Sequence, residues 1–169
     1  MPISFRYLKL FMVGSIALFF SLVSFDNLIN VNSNLPAIQH VLSMDTTFNS
    51  PIFMRRAVTN PSIQIAVLYL ISAWQLLTAI FCWLGCFQLL SHINSSALQF
   101  NQAKNLSFIG LFLGFMLYMV GFITIAGEWF CMWQSAVWNA QSTAGLFLSL
   151  IMFVMIFLGL EFPNLKDEL

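Results

Sequence analysis

Charge is scarce in this sequence, with six Lys or Arg and six Asp or Glu among 169 residues and a formal net charge of zero. A soluble domain is roughly 25% charged, against 7% here. Without a charged shell, a chain that is 60% hydrophobic has no way to hide its apolar surface in water. There is no basic patch either, which excludes a nucleic-acid partner. Cysteine is sparse, and three residues make no disulfide framework. Cys82 and Cys86 stand one helical turn apart inside an apolar run, and Cys131 is alone. A quinone-linked thiol oxidase would need paired cysteines near one surface, and that pattern is missing. Only two histidines are present, His40 and His92. They fall on opposite sides of the second apolar run, so they cannot ligate one haem or share one zinc. No cofactor and no metal is expected.

What the chain has is long apolar runs. Crossing a bilayer takes roughly 20 predominantly apolar residues in a helix. Segments near Tyr7–Phe25, Ile63–Leu90, Leu106–Ala126 and Thr143–Leu160 meet that need. Backbone groups in hydrocarbon must be paired internally, which makes these runs helices. The alternating segments of a β-barrel are absent. The expected fold is all-α: a four-helix transmembrane bundle, up-down, forming a single integral membrane domain over 1–169. Its outer loops are 26–62 and 127–142.

Lys and Arg favour the cytoplasmic side of a membrane. Arg6, Lys9, Lys104 and Lys166 fall on one side, and Arg55 and Arg56 on the other. The balance predicts that both termini are cytoplasmic. Arg6 and Lys9 before an apolar run also fit a secretory signal, but the run lasts to Asp26 and no A-x-A-like site follows, so an uncleaved first span is expected. On this topology the terminal Lys166-Asp-Glu-Leu169 and the acceptors at Asn94 and Asn105 face the wrong compartment to be read.

Within loop 26–62, cap-then-proline pairs predict short helices on the outer face. Asn34-Leu35-Pro36 opens one through Val41, Ser50-Pro51 a second, and Asn60-Pro61 caps the second span. Gly110 and Gly114 form a GxxxG pair, with Gly121 near the same face, and Gly14, Ala17, Ser21 and Ser24 recur in span one. Small residues let helices approach closely in lipid, and packing within the bundle is the favoured reading over a homodimer face. No Asp, Glu, Lys, Arg or His is expected deep in a span, which disfavours ion-coupled pumping. Gln75, near Ser72 and Thr78, is the most polar deep side chain. An interhelical hydrogen bond is its expected role.

Two outer stretches stand out, His40–Phe48 and Glu128–Asn139. The second holds Trp129, Trp133 and Trp138 among Glu128, Gln134 and Asn139. An aromatic belt at headgroup level explains the rings. The alternative is a pocket or docking surface made by both loops, from Asp45, Thr46, Thr47, Glu128, Trp129, Trp133, Gln134 and Asn139. In such a pocket Arg55 or Arg56 would pair with Glu128. His40, Asp45, Glu128 and Cys131 match no known metal spacing.

The Asn-rich exit of span one, His40–Phe48, Arg55-Arg56-Ala57 to Pro61, and Glu128–Gln141 together resemble an uncharacterised family of predicted small integral membrane proteins from bacteria. The resemblance covers most of the chain. It implies a multi-pass protein of the bacterial inner membrane and lends no activity. It also implies a glutamate in span two where this chain has Gln75, so a proton role for that carboxylate is not available here. The expected function is a non-enzymatic accessory or interaction protein. Its environment is the lipid bilayer and its partner a membrane protein, met through an aromatic-polar outer cap. The alternative is a small transporter or channel-like protein with Gln75 and the cap at its mouth. A membrane enzyme using Glu128 comes third.

Overall fold

The computed structural model describes residues 2–161. In chain order the helices are α1 (Ile3–Ile29), α2 (Val31–Ser43), α3 (Pro61–Ser91), α4 (Ala97–Gln102), α5 (Asn105–Met116) and α6 (Gln141–Gly159). From Leu117 to Trp129, α5 continues without a break as a π-helix. Single 3₁₀ turns occupy Met54–Arg56 and Met132–Gln134. Among the described residues there is no strand. Four stretches are long and apolar enough to span a membrane: Ile3–Ile29, Pro61–Ser91, Ala97–Trp129 and Gln141–Gly159.

Side chains are distributed as in lipid rather than water. Phe11, Leu22, Phe87 and Phe153 are exposed, whereas Ser24, Ser72, Gln75, Thr78 and Ser107 are buried. The antiparallel pair α1–α3 forms the spine. Asn27 meets Gln75 toward one end, and Arg6 meets Ile93 at the other. Helix α5 then packs on α3 through small residues. A Cβ on Gly110 would lie 2.6 Å from the Cys82 backbone nitrogen, and one on Gly85 would lie 2.5 Å from that of Ser107. Gly114 takes the Phe20 ring in the same way. The GxxxG pair therefore works inside the bundle. Gly121 departs from that face: a Cβ there would meet only Leu117 Cδ1, at 3.7 Å. The π-helix begins four residues earlier and rotates the following side chains off the α-helical register.

Three expectations need correction. Helix α1 starts at Ile3, so Arg6 and Lys9 lie within it rather than ahead of it. Both are buried, Lys9 to 1% exposure. Arg6 donates to the carbonyls of Ile93 and Ser95 beyond α3. Lys9 donates to Leu158 (3.0 Å) and Leu160 at the end of α6. Each helix end presents unpaired carbonyls and a partial negative charge, which buried cations satisfy. Second, α2 begins at Val31, not at Asn34. Asn30 ends α1 and its carbonyl receives the first amides of α2, while Asn34 donates to Asp26 across the bend. Pro36 thus sits inside the helix. Third, Ser50-Pro51 gives a tight turn and a 3₁₀ segment instead of a longer helix. The Asn60-Pro61 cap forms as read, with the Asn60 side chain accepting from the Ser62 amide at 2.9 Å. Lys166–Leu169 lies outside the described residues.

Candidate functional site

The end of the bundle away from the termini carries a cap built from α2, residues 44–60 and residues 130–140. Leu42, Met44, Phe130 and Cys131 form its own small core. Met44, Asn49 and Cys131 are non-glycine residues in the left-handed region, at φ 56°, 53° and 53°. Such residues cost of order 1–3 kcal/mol each unless their surroundings hold them. Here all three lie in the cap, and Met44 and Cys131 are buried in its core.

The two outer stretches singled out in sequence are stitched together. Thr46 Oγ1 donates to Ser135 Oγ at 2.9 Å. The Phe48 amide donates to Gln134 Oε1 at 3.0 Å. Phe48 also stands edge-on to Trp133, with ring centroids 6.0 Å apart. Thr47 turns back to the Met44 carbonyl (2.7 Å) and shapes the turn after α2. Asp45 lies 2.7 Å from His40 Nδ1, and the His40 ring stacks on Trp138 at 4.7 Å. Asn139 has a different job: its Oδ1 accepts from the Gln141 amide (3.0 Å) at the start of α6.

Glu128 is exposed, and the expected Arg–Glu128 pair is not formed. Arg56 instead donates to the Trp129 carbonyl (3.2 Å) and lays its guanidinium 4.4 Å from the Trp129 ring and 5.0 Å from Phe53. The ring face supplies the attraction that a carboxylate would have given. His40 and Asp45 form a close side-chain contact, and among the described residues no group of three His, Cys, Asp or Glu side chains converges as a metal set. Ser135 is a structural member of the cap that the sequence reading did not single out, and the contacts that Trp138 and Arg56 make differ from any expected there. Their partners lie some 70 to 100 positions away, beyond any local spacing signal.

Gln75 is buried inside the bundle, and its Oε1 accepts from Asn27 Nδ2 at 2.8 Å. Beside it Ser24 donates to the Ser72 carbonyl at 2.9 Å. Gln75 therefore ties α1 to α3 and does not line a passage. Its neighbour Trp74 does face a space. Beneath the cap, α3 and the π-helix splay apart around an apolar cavity of about 480 Å³. Its walls include Ile38 and Val41 of α2, Val67 and Trp74 of α3, and Gly121 and Phe122 of the π-helix. The Trp74 indole N–H is already committed to the Leu113 carbonyl at 2.9 Å. The cavity thus presents hydrocarbon and aromatic surface only. No sequence signal marked it, because its lining residues are ordinary span residues.

Helices of this length and polarity, with apolar side chains outward and polar ones paired inward, define a four-span α-helical integral membrane protein. A family model described as predicted small integral membrane protein (DUF2165), a domain of unknown function, matches residues 5–161, and the chain belongs to that family. No curated protein and no solved structure matches it.

Proposed function

We propose that the protein is a non-enzymatic accessory protein of the bacterial inner membrane, with both termini cytoplasmic. It docks a membrane-protein partner through the cap and serves as a subunit or stabiliser of a larger complex. The observation that supports this reading is the cap itself. Thr46, Thr47, Gln134 and Asn139 are committed to holding its shape, and around its small core several large apolar side chains face outward: Phe48, Ile52 and Val137 are each more than 70% exposed, and Trp129 and Trp133 join them. Exposed apolar side chains, with Phe48 and Trp133 in contact, on a hydrogen-bonded frame suit recognition. Of the cap's polar side chains Thr46, Thr47, Gln134 and Asn139 are engaged structurally, and the exposed Glu128 stands, among the described residues, without a second polar group converging on it. A second reading, a small transporter, draws support from the cavity beneath the cap.

The test is assembly size. The protein is extracted gently from its own membrane and run on a native gel, with mass spectrometry of what travels with it. A defined complex with stoichiometric partners, lost in a Phe48→Ser/Val137→Ser variant, is the expected result. A lone monomer or homodimer sinks the accessory reading and leaves the transporter.

A further inference from the structure

Two features have no part in that docking. One is the cavity. The other is Arg55-Arg56, the pair that runs against the loop-charge rule by lying at the cap end. They are neighbours. Val58, two residues after Arg56, lines the cavity, and so does Phe130, which follows the Trp129 whose carbonyl holds Arg56. The cavity also opens sideways, since Leu70, Val120 and Ile125 belong to its lining and are well exposed. A volume of about 480 Å³ lies within the roughly 300–1,000 Å³ range of small-molecule sites. An apolar cavity of this kind does not fill with water, and in a bilayer it faces hydrocarbon chains directly.

We propose that this is a phospholipid site: one acyl chain of an anionic phospholipid occupies the cavity, and its phosphate lies against Arg55 and Arg56. Charge complementarity selects the headgroup. Arg55 is exposed, and Arg56 uses one N–H on the Trp129 carbonyl, held between two rings. An arginine fork suits a phosphate. The lining selects the chain, because its surface is apolar and the Trp74 donor is taken. The site stands independently of the cap's protein partner.

The test uses the full chain in phosphatidylcholine vesicles with a minor share of phosphatidylglycerol brominated on its chains. Tryptophan fluorescence is read in two single-tryptophan proteins, with phenylalanine at the other tryptophan positions so that an aromatic ring stays against Arg56 and on the cavity wall. One keeps Trp138, which lines the cavity, and the other keeps Trp83, a half-exposed residue of α3 outside it. Trp138 should be quenched saturably at low phosphatidylglycerol content, and more strongly than by brominated phosphatidylcholine. Trp83 should follow bulk lipid composition for both. Arg55→Gln/Arg56→Gln should raise the half-saturating fraction by roughly tenfold, equivalent to about 1.4 kcal/mol for the pair. Gly121→Leu should abolish the saturable phase, and Ala126→Leu, on the same wall, does so independently if Gly121→Leu fails to fold. Equal quenching of Trp138 and Trp83 overturns the proposal. So does equal quenching of Trp138 by the two headgroups. So does a Trp138 shielded from brominated chains by a co-purifying helix or a second copy of the chain.

Discussion

The two halves of the α3–α5 pair follow opposite packing rules. Toward the termini, Gly85 and Gly110 bring the backbones into contact, and a methyl group would not fit at either position. Toward the cap, the same two elements separate around a cavity, and Gly121 has room before it. The change falls where α5 turns π-helical at Leu117. Lipid tails are as apolar as the helices, so close approach of small residues is what holds a membrane bundle. The near half uses that device. The far half gives it up and is closed instead by the hydrogen-bonded cap. Within one pair of helices, one half is built for stability and the other keeps a space.

Leucine scanning of the glycines breaks this comparison most directly. Gly110→Leu drives a side chain into the backbone of α3 and should cost about 3 kcal/mol or more. Gly121→Leu should change stability by no more than about 0.5 kcal/mol. Thermal unfolding of the purified proteins in one detergent checks both. Similar losses at the two sites would mean that the halves do not differ.

The next largest effect lies at the termini end. Lys9→Met removes the donor to the Leu158 and Leu160 carbonyls. An unsatisfied buried carbonyl costs about 1–3 kcal/mol, so a loss of about 2 kcal/mol is expected. Amide exchange localises it: the last turn of α6 should exchange faster in Lys9→Met, while amides around Gln75 keep their protection.

Lys9 also marks where sequence stops being legible. Spans, class and the GxxxG contact can be read because length, hydropathy and small-residue spacing are local along one helix. Gln75 can be read too, since a buried amide among apolar residues needs a partner. That Lys9 and Arg6 turn inward depends on the ends of α6 and α3, about 150 and 87 residues away. A local reading makes them ordinary flanking charges. The same limit explains the cap. Thr46, Gln134 and Trp133 can be picked out as an outer cluster, but Arg56 choosing the Trp129 ring over Glu128 is settled by three-dimensional placement. The cavity is an absence of side chains, and no residue type announces it.

Gln75→Leu probes the close-packed half more gently. It breaks one interhelical hydrogen bond, from Asn27 at 2.8 Å, and bonds of this class are worth about 0.6–2 kcal/mol in a membrane. A Gln75→Leu/Asn27→Leu double variant should recover most of the loss, because no unpaired amide then remains. Unfolding of the two single variants and the double variant forms a cycle. Strict additivity would show that the pair does not bond.

The smallest effect sharpens the cap side. Arg56→Gln removes a guanidinium over the Trp129 ring and one hydrogen bond to the Trp129 carbonyl. Cation–π contacts at exposed sites are worth about 0.5–1 kcal/mol, so global stability should fall by about that much. The change should concentrate in residues 128–135 and 53–58, because Arg56 joins those segments and little else. Site-resolved amide exchange distinguishes this from a general loss. A cap that loosens while the Gly85–Gly110 contact keeps its protection means that the two halves are separately stabilised. Uniform loosening means that the cap and the close-packed helices melt as one unit, and that the cavity is held open by the same interactions that hold the bundle shut.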